Sequence, residues 1–106
     1  MNKLKKIISP INPIILGKLG AAYSTRGWIK IFSFTKIPED IFCYKPWFIK
    51  RINIWEIIKI ENWKNNNKCI ITKFSEINNK NSADLLTNLE INIDSNVLPN
   101  LKEEYY

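Results

Sequence analysis

Short apolar runs with a period of two, separated by turn-forming residues, dominate the chain and predict strands rather than helices. Pro13 to Leu19 is an apolar run closed by Gly17 and Gly20. In Trp28–Phe34, rich in aromatic and β-branched residues, Ile29 and Ile31 fall on one face; Trp28, Lys30, Phe32 and Phe34 fall on the other. Pro38-Glu39-Asp40 breaks the pattern, and Pro46 opens a candidate strand over Trp47 to Arg51. Ile54 to Trp63 is ambiguous. Trp55, Ile57, Lys59 and Glu61 alternate, but Ile58 and Ile60 are apolar on the opposite side. A strand covered on both faces, a bulged strand and a helix all fit that pattern.

Beyond the polar turn Asn65-Asn66-Asn67, Ile70, Thr72 and Phe74 share a face, as in the second arm of a hairpin. One short helix follows. Asn79 suits its N-cap, Ala83 and Leu86 lie on one side, and Asn88 suits a left-handed end. Leu89, Ile91 and Ile93 then alternate with polar residues as a last strand. Six strand-like runs, with a helix before the last, predict a mainly β, small antiparallel barrel, closed or nearly so. Closure removes exposed strand edges.

The chain has 106 residues, enough for one domain with its own core. Residues 1–10 read as a flexible basic lead, 11–97 as the barrel and 98–106 as an acidic tail. The lysines near the N-terminus imitate a targeting segment, but Ser9-Pro10 interrupts the apolar run, and nothing approaches a membrane span. A cytoplasmic location without membrane contact is expected.

Histidine is absent, which removes His-based metal sites, Ser-His-Asp triads and imidazole acid–base chemistry. Cys43 and Cys69 form no CxxC motif and read as small buried thiols. The acidic pairs Glu39-Asp40 and Glu103-Glu104 read as solvated, because adjacent side chains point in different directions. No catalytic residue, metal or cofactor is expected. The net charge of +6 suits a phosphate-rich partner. However, Ile, Lys and Asn make up 48 of the 106 residues, and all have AT-rich codons, so a solvated lysine surface explains the charge equally well.

Gly17-Lys18-Leu19-Gly20-Ala21-Ala22-Tyr23-Ser24-Thr25-Arg26-Gly27-Trp28 resembles the signature of the RimM family of bacterial ribosome maturation factors. Three further segments are similar to that family in the same order: Asp40 to Ile49, the helix Lys80 to Asn88, and the tail Leu98 to Tyr106. The resemblance implies a six-stranded barrel of the translation-protein type. It also implies a non-enzymatic factor that binds the immature small ribosomal subunit head and supports rRNA processing. Three features depart from the family pattern. Ser24 stands where Gly is usual, at a cost of about 1 kcal/mol if the position takes a positive φ. Lys80 replaces Arg and lacks its planar fork. Family members also continue past Tyr106 into a PRC-type barrel, the part associated with a ribosomal protein of the head; the present chain reads as a shortened product or a domain cut from a longer one.

The three glycines read as tight-turn residues rather than a nucleotide-binding loop, since no GxGxxG or Walker pattern is present. Lys18, Arg26 and Lys30 flank that segment as candidate rRNA-phosphate contacts. Arg26 is one of only two arginines, so a fork contact to phosphate or an internal salt bridge both fit. Tyr23 beside it suits stacking on an unpaired base or capping of the barrel end. Most of the four tryptophans are expected in the core or at its rim. Tyr105 and Tyr106 are candidate protein-interface anchors. The partner expected is the small ribosomal subunit, bound by a monomer: rRNA directly, and a head protein mainly through the second barrel. A general single-stranded RNA-binding barrel and a remnant with little activity are the alternatives.

Overall fold

The structure is a computed structural model that describes residues 9–66 and 69–97. The expectations for the first eight residues, for the tail and for Tyr105 and Tyr106 lie outside the described residues. Seven antiparallel strands form one sheet in the order β4-β3-β7-β1-β2-β6-β5. They are β1 (Ile14–Ala22), β2 (Ile29–Ser33), β3 (Trp47–Arg51), β4 (Ile54–Ile58), β5 (Ile60–Asn65), β6 (Ile70–Phe74) and β7 (Glu90–Ile93). A helix, α1 (Lys80–Asp84), precedes β7.

The count of seven corrects the expected six, and the ambiguous stretch supplies the difference. Residues 54–63 are extended, but they break at Lys59 into β4 and β5, which occupy opposite edges of the sheet. The sheet therefore curls until its two edges meet at one residue. There Ser75 N donates to Lys59 O at 2.9 Å. The register shifts between Ile60 and Asn62, so the bulge considered from sequence is also present. Apolar residues occur on both sides because Ile58 enters the core while Trp55 packs on the outside, edge-on to Phe48.

Alternation places the core as expected. Leu19, Ile29, Ile31, Ile49, Ile70 and Phe74 point inward and are buried. Thr72 is fully buried among them, and its Oγ1 has no hydrogen-bond partner among the described residues. A 3₁₀ turn, Pro38–Cys43, plugs one end and inserts Ile41 and Phe42. Trp47 Nε1 donates to Ile41 O at 3.2 Å and ties the plug to β3. Phe74, Trp47, Phe42 and Trp63 form a ladder of ring contacts running from the interior to the rim. Glu39 on the plug accepts a hydrogen bond from Asn65 of the β5–β6 hairpin.

Cys43 ends this turn on its outer side and is exposed, which corrects the reading of it as a buried thiol; Cys69 is half-buried, and both are free. The helix begins as its sequence predicts, with Asn79 Oδ1 accepting from Ser82 N at 2.8 Å. Ala83 and Leu86 are buried, and Asn88 takes φ 76°. Leaving that turn, Asn88 N donates to Leu19 O and Leu19 N donates to Leu89 O, each at 2.8 Å. These bonds deliver β7 into register with β1.

Candidate nucleic-acid interface

The outer face of the sheet carries the side chains that alternate with the core. On β1, Leu19 points inward and its neighbours Lys18 and Gly20 point outward; on β2, Ile29 and Ile31 point inward, leaving Lys30 and Phe32 outside. Lys18 pairs with Phe32 across the strands. A Cβ at Gly20 would lie only 2.7 Å from Phe32 Cε2, so the ring lies across the bare backbone of β1. Gly20 and Gly17 thus sit within a strand rather than at turns, which corrects their reading as turn residues.

The Phe32 ring remains 55% exposed. Lys18 stands opposite it and Lys30 two residues away on its own strand. Neither lysine makes an ion pair or a hydrogen bond through its side chain among the described residues. Glu90, opposite Lys18 on β7, is the acid nearest in register.

Tyr23 and Arg26 lie in the β1–β2 loop. Tyr23 N donates to Trp28 O at 2.6 Å, and Arg26 N to Ser24 Oγ at 3.2 Å. Gly27 alone in this loop takes a positive φ, 99°, and a Cβ there would meet Ile77 O at 2.2 Å. Ser24 has no positive φ, so the cost considered for it does not arise. The Tyr23 hydroxyl accepts from Asn66 Nδ2 at 2.7 Å, which fastens the loop to the hairpin tip. Arg26 is exposed and its guanidinium has no partner among the described residues. The salt bridge weighed for Arg26 is instead formed by the other arginine, Arg51, whose fork grips Glu56.

The face extends to both sides. Lys64 on β5 lies over the Trp28 ring, 5.2 Å from its centroid, and Lys50 on β3 lies at the same distance over Trp55. A shallow groove lined by Lys18, Lys50, Trp55, Leu89, Glu90 and Asn92 runs from Lys18 to the Lys50–Trp55 pair. Glu61 is occupied by Lys73 at 3.3 Å. Lysines and rings therefore interleave across the strands, a pattern suited to binding a chain of phosphates with exposed bases. Reading the candidates one by one misses Phe32, Lys50 and Lys64. The signal for Phe32 is the shared face of Trp28, Lys30, Phe32 and Phe34. That for Lys50 and Lys64 is pairing between strands, which no local pattern carries.

Three or more His, Cys, Asp or Glu side chains able to hold a metal ion do not converge anywhere among the described residues. No helix among those residues is long and apolar enough to cross a membrane.

Together these features define a small antiparallel barrel domain with a basic, aromatic outer face. The RimM N-terminal domain model matches residues 14–98. The chain belongs to the RimM family. It is 44% identical to ribosome maturation factor RimM of Cronobacter sakazakii and 46% identical to that of Sodalis glossinidius, each match covering the whole of this chain. The chain spans 58% of the length of both curated relatives. Among solved structures, a Pseudomonas aeruginosa 16S ribosomal RNA processing protein RimM superposes with a TM-score of 0.76 at 24% identity, covering 83% of this chain and 54% of that one. The solution structure of the N-terminal domain of Thermus thermophilus RimM superposes with a TM-score of 0.66 at 16% identity, covering 86% of this chain and 99% of that domain.

Proposed function

We propose that this chain is the N-terminal barrel of a non-enzymatic ribosome maturation factor. In this reading it binds the immature small-subunit head and supports the maturation and processing of small-subunit rRNA in the cytoplasm. Residues 11–97 form the binding barrel. Residues 98–106 lead towards a second barrel, with Tyr105 and Tyr106 contacting protein. Lys18, Tyr23, Arg26 and Lys30 contact rRNA.

The observation that carries the reading is the lack of any internal partner for Arg26, Lys18 and Lys30 among the described residues, in a chain of this family. Charges that hold no fold contact are available to phosphate. The mechanism is a shift of population. A protein that binds the near-native head more tightly than a misfolded one stabilises the former by the difference in affinity, without covalent chemistry.

Co-sedimentation tests the proposal. The chain is expected to pellet with free small subunits and not with intact ribosomes, and binding to neither overturns the reading. In the salt titration of that binding, Arg26→Ala is expected to lower the slope by about one unit. An unchanged slope with full binding removes Arg26 from the contact set.

A further inference from the structure

We infer that Phe32, laid over Gly20 between Lys18 and Lys30, is a stacking platform for one unpaired RNA base whose flanking phosphates meet the two lysines. The inference rests on the function proposed above and adds to it a binding mode, single-stranded rather than duplex, and a residue outside the candidate set.

Three observations carry it. First, the ring is exposed and unengaged: Trp28 and Trp55 on the same face each lie beneath a lysine, whereas Phe32, like Phe34 two residues further on, has no ring or cation partner among the described residues, and of these two only Phe32 lies over Gly20 between two lysines. Its open side is free to accept a base. Second, Gly20 makes room for the pose. The missing Cβ lets the ring lie low across β1, a pose that any larger residue at position 20 would block. Third, the charges are placed for a nucleic acid strand. Lys18 lies across the strand pair from Phe32 and Lys30 lies along its own strand, and both are without partners among the described residues. Burial of an apolar protein side chain on Phe32 would need no such flanking cations, whereas a nucleotide brings a π-face and phosphates together. Duplex RNA presents its bases already stacked and offers no free face to the ring.

The test uses the whole chain and two probes, a ten-nucleotide oligouridine and a blunt RNA duplex of equal charge, with free small subunits as a third. Phe32→Ala is expected to weaken oligouridine binding about 5- to 150-fold, the range of base–aromatic stacking, with its salt slope unchanged. Duplex binding by the same variant is expected to stay within twofold. Lys18→Ala and Lys30→Ala are each expected to lower the oligouridine slope by about 0.7. Gly20→Ala, which lifts the ring, is expected to reproduce the Phe32→Ala loss while the ring remains present. Thermal unfolding of each variant reports whether the barrel is intact. Should Gly20→Ala unfold it, Phe32→Leu, which keeps the apolar bulk but not the π-face, takes its place and is expected to lose stacking equally.

If subunits bind but Phe32→Ala leaves oligouridine binding intact, the platform is overturned and the broader function stands. If Phe32→Ala weakens subunit binding alone, the ring contacts protein and the inference fails. If neither the oligouridine nor subunits bind, both the inference and the function fail.

Discussion

The ring of Phe42 lies parallel on that of Trp63, with centroids 4.3 Å apart and planes 7° from parallel. One residue comes from the 3₁₀ plug and the other from edge strand β5, so the stack fixes the plug to the sheet where the hairpin leaves it. Phe42 is also in contact with Trp47, which is fully buried. Removing Phe42 therefore opens a cavity that reaches the core, whereas removing Trp63, 37% exposed, strips only the outer layer. Phe42→Ala is expected to cost about 3–5 kcal/mol, as large-to-small changes in cores do. Trp63→Ala is expected to cost about half as much, since part of its surface is already wet. Urea unfolding measures both; equal losses would show that the stack, not the plug, carries the stability.

Thr72 presents the reverse case. Its hydroxyl is fully buried without a hydrogen-bond partner among the described residues. A buried polar group in that state costs about 1–3 kcal/mol relative to a satisfied one. Val has nearly the same shape and no such group. Thr72→Val is accordingly expected to stabilise the barrel by about 1 kcal/mol, read as a higher urea midpoint at unchanged slope. A destabilised variant would mean that the hydroxyl has a partner.

The two arginines divide their labour. Arg51 Nη2 lies 2.9 Å from Glu56 Oε1 and its Nε 3.3 Å from Oε2, and both side chains are 38% exposed. So exposed a pair is screened, and Arg51→Ala is expected to cost about 0.5 kcal/mol, less in high salt. Arg26→Ala is expected to leave unfolding unchanged within about 0.5 kcal/mol, as surface substitutions do. Denaturation curves of the two variants at low and high salt check this; a marked loss for Arg26→Ala would place it in the fold.

Much of this architecture is legible in the sequence because alternation and capping act over a few residues. Ile29 and Ile31 inside, Lys30 and Phe32 outside, Asn79 as N-cap and Asn88 with a positive φ all follow from local pattern. What local pattern cannot carry is where edges meet. The break at Lys59 depends on the curvature of the whole sheet, so from local pattern residues 54–63 read as a single ambiguous run. Gly20 reads as a turn residue for a similar reason. A glycine in a turn and a glycine beneath a neighbour's ring look alike until strand pairing brings Phe32 alongside it. Of the proposed interface, the motif marks Lys18, Tyr23, Arg26 and Lys30, whereas Phe32 joins them only once strand pairing sets it between the two lysines.

Lys59 has a consequence of its own. A sheet of seven strands normally leaves two open rims, each a template for adding further copies. Here a single peptide unit serves as the clasp that holds those rims in one place. Lengthening it with a flexible insert would loosen that constraint and let the two rims move apart. The shortness of that joint therefore sets how far the two unpaired rims can part, and with it the curvature on which the outer face is displayed.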